Sequence, residues 1–346
     1  MSKLYRKKKF KNRKQINIGL QILRMICCLL IILTHFYSFR RYRILLNEHK
    51  YYLMTFFFLS FYFSYNTFTS RNVKKIKERF KRMLIPYIGW PLMFFIKDKL
   101  YHYMFKTKQI YNWKDLYYQI LFGLRIYGIF WFLFTLLFLS LFFTLIIFIF
   151  KTRFDLVLFI ICIIDYSLIY SNYAYKHFFI KYNKIPVRYS IKEIFYYLNF
   201  AFSGFYLASK YPLKILIKNR FRLFAISCFY LYIFFKYYFS FFKKIHYFFQ
   251  PISKNIFILN LFLFFGMIPF DKIKNKVLME FLIKVTSYTG GVFYLHAKMG
   301  FYLRRYFFLI RTRTFKGCLI IYFICYLTCL IGTFVFRKNS LKNLFI

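Results

Sequence analysis

Apolar residues along this chain arrive in blocks of about 16 to 23, close to the roughly 20 residues an α-helix needs to cross hydrocarbon. The blocks are 17–39, 51–70, 83–97, 128–150, 154–170, 194–210, 222–242, 255–270, 282–303 and 317–336. Between them lie short, Lys- and Arg-rich segments. This spacing predicts an all-α polytopic membrane protein of about ten transmembrane helices, the shortest spans being 83–97 and 255–270. No internal repeat, low-complexity linker or appended soluble domain is visible. The chain therefore divides into a basic N-terminus (1–16), one transmembrane domain (17–337) and a short tail (338–346).

Composition matters here chiefly for what it excludes. At 60% hydrophobic and 27% aromatic, the chain exceeds a soluble domain's usual half-apolar content. Its formal charge of +46 would mark a soluble chain as a nucleic-acid binder. Most of the basic residues here sit between spans, where anionic lipid meets them instead. Membrane lipid is thus an expected partner and nucleic acid is not. The preference for Phe, Tyr, Ile, Lys and Asn matches A+T-rich coding, which accounts for part of the charge. The seven cysteines form no CxxC pair and no Cys/His ligand spacing. They read as small apolar fillers, and no metal is expected.

Residues 1–16 carry eight Lys or Arg and no acid. The apolar run that follows is too long for a signal peptide and lacks a small-x-small cleavage site. An uncleaved first helix with both chain termini cytoplasmic is the expectation. It puts 71–82, 151–153, 210–222 and 271–281 inside. Basic outer loops at 40–43 and 304–316 make the bias moderate. The longest loop, about 98–127, holds a segment, YYQILFGL, that is expected to be partly embedded.

Arg24 and His35 bracket the run MICCLLIILT. Eleven helical steps make about 1100°, three turns plus roughly 20°, so both side chains project from one face about 16 Å apart. Spacing alone fits two arrangements. Arg24 can snorkel to the inner surface with His35 near the outer one, or the two can line one polar path. Other polar residues in or near spans are Asp165, Glu193, Lys236, His296 and Lys298. His49, His102, His177 and His246 fall in outer loops and read as solvated. Trp113 reads as an interface anchor, and Trp90 as a residue of its short span.

The R-x10-H pair resembles the first span of the acyltransferase-3 family of integral membrane O- and N-acyltransferases. Further stretches agree in order. MTFFFLSFYFSY (54–65) resembles the family's Phe-Phe-x-x-Ser span with Ser60 at the serine, although Phe61 stands where the family usually has glycine. KERFKRMLIPY (77–87) carries Arg79 and Arg82 as its R-x-x-R, followed by Ile-Pro-Tyr. FWFLFTLL (130–137) resembles its Trp-Phe-Leu stretch, with Trp131. SYTGGVFYLHAKMG (287–300) resembles its late Ser-x-x-x-Tyr-Leu-x-His span, with His296. The resemblance as a whole runs over about 17–337, nearly the whole chain.

The resemblance implies an enzyme that moves an acyl group, often acetyl from acetyl-CoA, onto a hydroxyl or amine of a cell-envelope or exported glycan. His35 would serve as the catalytic base or acyl carrier, imidazole being the side chain that titrates near neutrality. Arg24 would orient the donor, and Arg79 and Arg82 would hold the CoA phosphates with planar guanidinium forks. Ser60, Trp131 and His296 would line the cavity. Expected partners are a glycan or lipid-linked sugar acceptor and envelope-synthesis proteins, in a bacterial plasma membrane. A transporter or flippase for a polysaccharide or lipid-linked sugar fits the composition as well, although 11 Gly and 6 Pro with no repeat count mildly against it. An inactive partner of an envelope-synthesis complex is the third reading.

Overall fold

A computed structural model of the chain describes residues 17–34, 51–105, 112–122, 130–170, 187–241, 250–270, 273, 275–289, 291, 292, 295 and 315–338. Among these the protein is all-helical, without a strand. The helices are α1 (Ile18–Thr34), α2 (Tyr51–Thr69), α3 (Val73–Phe105), α4 (Trp113–Phe122), α5 (Phe130–Phe150), α6 (Phe154–Tyr170), α7 (Val187–Lys210), α8 (Leu213–Lys218), α9 (Arg220–Phe241), α10 (Gln250–Met267), α11 (Lys276–Ser287) and α12 (Phe315–Lys338). His35, His49, His177, His246, His296, Lys298 and the segments 40–43 and 304–314 lie outside the described residues, as does the Lys236 side chain.

The core is built around α2, whose sequence is apolar on every side and which is accordingly buried along most of its length. Its most extensive neighbour is α7. A Cβ on Gly204 of α7 would lie 2.1 Å from the Phe58 carbonyl oxygen, so only glycine lets these backbones meet. Gly19 of α1 plays the same part against the Phe265 carbonyl of α10, where a Cβ would lie 1.7 Å from the oxygen. Rings fill the remaining space. Phe57 stacks on Tyr197 at 4.5 Å, Phe61 meets Phe143 at 4.6 Å, and Tyr62 meets Phe262 at 4.6 Å. Phe61, at the family's glycine position, therefore turns toward α5, and the close approach is made by Gly204 from the other side.

Cross-helix pairs fix the direction of each helix. Tyr51–Phe257 and Phe58–Phe262 run α2 parallel to α10, and Phe57–Phe132 and Phe61–Phe143 run it parallel to α5. Met83–Ser140 and Tyr87–Phe134 set α3 antiparallel to α5, and Phe154–Phe205 and Asp165–Asn199 set α6 antiparallel to α7. One end of the bundle thus gathers the start of α1, the α2–α3 and α5–α6 turns, the end of α7 with α8, and the start of α9. Among the described residues those segments are the richest in exposed Lys and Arg, and this is called the basic end.

Several expectations change. Residues 71–82, read as a connecting segment, are helical from Val73 onward and continuous with the next span, giving a 33-residue helix. The segment is dense in Lys, Glu and Arg, all good helix formers, and Asn72 caps it by accepting from the Lys75 N–H at 3.1 Å. Pro86 and Pro91 sit within that helix. The loop expected at 98–127 is helical to Phe105 and again over α4. There Asn112 and Asp115 exchange hydrogen bonds of 2.9 and 2.8 Å as a capping box, and Leu116 and Gln119 are buried. His102, expected to be solvated, is half-buried in the last turn of α3.

Trp131–Ser167 is long and apolar enough to cross a membrane, and Ile18–Ile31, Ile252–Met267 and Tyr322–Val335 are shorter apolar stretches. A 3-10 turn at Lys151–Arg153, with Lys151 at φ 47°, folds the first of these into an α5–α6 hairpin. At 1.5 Å per residue α5 is about 31 Å long, near the thickness of a bilayer's hydrocarbon core. Its outer face exposes Phe138, Leu141, Leu145 and Phe148, and that of α6 exposes Phe159, Ile160, Ile163 and Ile164. So much contiguous apolar surface marks a face made for lipid.

Candidate functional site

Two motifs that the sequence keeps apart meet at the basic end. The chain leaves α2 through Ser70, Arg71 and Asn72, with Arg71 in the left-handed region at φ 50° and its N–H on the Phe68 carbonyl. The turn sends α3 back along α2. Ser60 lies nine residues before the end of α2 and Arg79 six residues after the start of α3, depths of about 13 and 9 Å. An extended arginine bridges the difference. Its Nη2 donates to Ser60 Oγ at 3.1 Å, and its Cζ lies 5.1 Å from the centroid of the Phe68 ring. Its Nε is buried and has no partner among the described residues. Burial, helped by the nearby charge of Arg82, lowers the guanidinium to about 10, which still leaves it protonated at neutral pH.

Arg82 goes elsewhere. It is exposed and faces Glu78 across 3.9 Å, an ion pair that contributes little in water. The reason is visible in the helix. Ile76, Met83, Tyr87 and Trp90 are the buried stripe of α3, and Arg79 falls on it at i+3 from Ile76, whereas Arg82 does not. Sequence reasoning treated the R-x-x-R as one unit; the 3.6-residue period of its neighbours separates the two arginines. A further cation, Arg71, donates to the Ile147 carbonyl of α5 at 3.5 Å and ties the turn to the bundle.

The opposite end carries a second polar group. Trp131 at the start of α5 stacks near Tyr197 of α7 at 5.8 Å, and Tyr197 continues the stack onto Phe57. Beside it, buried Lys254 of α10 donates to Tyr196 Oη at 3.3 Å and lies 5.9 Å from that ring's centroid. Glu193, one turn before Tyr197, is also buried. The sequence singled out Trp131 and Glu193 but passed over Lys254 and Tyr196. Lys254 precedes buried Phe257 and Ile258 by three and four positions, and that helical spacing is the signal that could have found it. Asp165 is buried as well and accepts from Asn199 Nδ2 at 2.9 Å.

Arg24 is half-buried on α1, one turn before Cys28 and close enough for its charge to act on that thiol. Cys28 Sγ reaches the Thr289 carbonyl at 3.7 Å, joining α1 to the late span. Of the six cysteines whose side chains are described, five are buried. His35 and His296 lie outside the described residues. Among the described residues no three His, Cys, Asp or Glu converge as a metal site.

A family model described as an acyltransferase domain, that of the acyltransferase-3 family, matches residues 17–297. No curated protein and no solved structure matches the chain.

Proposed function

Because the chain belongs to the acyltransferase-3 family, and so is a membrane acyltransferase of groups other than aminoacyl, we propose that it moves an acyl group, acetyl in the first instance, from acyl-CoA to a hydroxyl or amine of a cell-envelope or exported glycan. The observation that carries this reading is the Arg79–Ser60 contact, which joins two family motifs at the basic end. The basic end lies in the cytoplasm, as the positive-inside rule favours, in a multi-pass protein of a bacterial plasma membrane with both termini inside.

Acyl-CoA would supply an activated thioester. The arrangement at Arg79 fits its phosphates, because a guanidinium fixed by Ser60 and Phe68 still has a buried N–H without a partner among the described residues. Arg82, exposed one turn further along α3, would add only a long-range positive charge. Arg24 orients the donor along α1 toward His35. There the imidazole accepts the proton of the acceptor hydroxyl or amine as its oxygen or nitrogen bonds to the acyl carbon. The C–S bond breaks, and the departing thiolate takes up a proton. Trp131, stacked on Tyr197, would present its ring to a sugar at the acceptor end, and His296 would take the cavity-lining role that the family resemblance implies.

Purified protein in nanodiscs, given radiolabelled acetyl-CoA and an envelope glycan fraction, tests the reading. Label should pass to the glycan in wild type and not in His35→Ala, while Arg79→Ala with Arg82→Ala weakens donor binding. Full transfer by the His35→Ala protein would refute the role of His35. Absence of CoA binding in well-folded wild type would refute the donor.

A further inference from the structure

At the basic end a cavity of about 210 Å³ lies between the first residues of α1, the short α8, the start of α9 and the last turn of α10. None of its residues belongs to the Arg79–Ser60 site. Its walls are mostly apolar and include Ile217, Met267, Phe270 and Met279; its polar members are Asn17 and Arg220. Asn17 is structural. Its Oδ1 caps α1 by accepting from the Leu20 N–H at 3.0 Å, and its Nδ2 donates to the Gly266 carbonyl at 2.8 Å. Arg220 is therefore the cation the cavity offers.

The surroundings narrow the choice of ligand. In α8, Leu216 is buried and Leu213 and Ile217 are half-buried, while Lys214 and Lys218 are exposed. That is the pattern of a short segment lying along a membrane surface. Arg222 is exposed on the next helix. A free phosphate would gain the guanidinium but would lose its hydration against methionine and phenylalanine, which give no hydrogen bond in return. An amphiphile with an anionic head satisfies both kinds of wall. Polybasic segments beside a membrane attract the same class of molecule.

We propose that this cavity binds an acidic phospholipid, its phosphate on Arg220 and its glycerol and first methylenes against Ile217, Met267 and Met279. The lipid would clasp α1, α9 and α10 where Gly19 already meets the Phe265 carbonyl. The proposal is independent of the acyl-transfer reading.

Delipidated full-length protein in detergent, offered equimolar phosphatidylglycerol and phosphatidylcholine, is examined by native mass spectrometry. Wild type should retain phosphatidylglycerol at least five-fold over phosphatidylcholine. Arg220→Gln should remove that preference, and Met279→Trp, which fills the cavity without touching charge, should lower retention of phosphatidylglycerol as well. Equal retention of the two lipids by wild type would overturn the proposal, as would unchanged preference in Arg220→Gln. If Arg220→Gln does not fold, undiminished phosphatidylglycerol retention by Met279→Trp overturns it. Inorganic phosphate and glycerol 3-phosphate form a separate arm: thermal stabilisation by either that equals the lipid's would replace the lipid with a soluble anion.

Discussion

Replacing Gly204 with alanine should push α7 away from α2, the helix that carries Ser60. The new Cβ would lie 2.1 Å from the Phe58 carbonyl oxygen, 2.8 Å from its carbon and 3.0 Å from its Cα. Backbone cannot rotate away as a side chain can, so reaching ordinary contact near 3.4 Å requires the helices to part by about 1.3 Å. Overpacking of this kind costs about 1–3 kcal/mol. The Phe57–Tyr197 and Tyr65–Phe205 contacts, at 4.5 and 4.8 Å, loosen with it. The expected loss is near the upper end, about 3 kcal/mol. Ser60 is two residues from Phe58 on the same helix, so the same shift disturbs the geometry of its 3.1 Å bond to Arg79. Thermal unfolding in detergent, read by the monodisperse fraction on size exclusion, measures the first effect, and the KM for acetyl-CoA the second. Gly332→Ala is the control, because among the described residues its Cβ would meet a Leu295 methyl at 3.1 Å, which can give way. A Gly204→Ala protein as stable as Gly332→Ala, with unchanged KM, would refute the close approach and its link to donor binding.

Ser60→Ala should weaken acetyl-CoA binding about ten-fold, since hydrogen bonds to charged groups contribute about 1.5–3 kcal/mol, whereas Arg82→Gln should stay within about two-fold because its partner pair is exposed; isothermal titration decides both. Tyr87→Phe removes the hydroxyl that donates to the Gln119 and Ile120 carbonyls at 2.7 and 2.8 Å and should cost about 1–2 kcal/mol, seen as a lower unfolding temperature with KM for the donor unchanged. Arg79 is lowered to about 10, so its charge is intact below that value. Donor binding should be flat from pH 7.5 to 9 and weaken only above, and a midpoint inside that window would exclude Arg79 as the donor's cation. The stability sign runs the other way: above the lowered value the unfolded chain holds more protons than the folded one, so the cost of burying this cation eases as pH rises past about 10.

The helices were legible from sequence because lipid-length apolar runs leave a backbone few alternatives. The helical start of α3 was harder to see, since a basic run reads as a loop when hydropathy alone is scored. Its helicity comes from the Asn72 cap and the propensity of Lys, Glu and Arg. Arg79 and Ser60 were each legible as motif residues, yet their contact depends on a turn with Arg71 at positive φ, which no local pattern announces. Lys254 and Tyr196 escaped because their meeting joins the starts of two helices far apart in sequence. The depth of Arg79 could have been read from the Ile76–Met83–Tyr87–Trp90 stripe.

The three-residue turn between α5 and α6 bears on how the chain enters a membrane as it is made. α5 is strongly apolar, carries no charged residue and partitions unaided. α6 carries Asp165, which on insertion scales costs about 3 kcal/mol near a helix centre. The amide that answers this carboxyl, Asn199, belongs to α7 and is synthesised some thirty residues later. Tethered through Lys151–Arg153, α6 is held in place by its predecessor until its successor arrives. Insertion of this stretch is therefore expected to depend on three consecutive helices, and lengthening the turn should expose α6 to failure at the translocon even where the Asp165–Asn199 pair of the finished fold is kept.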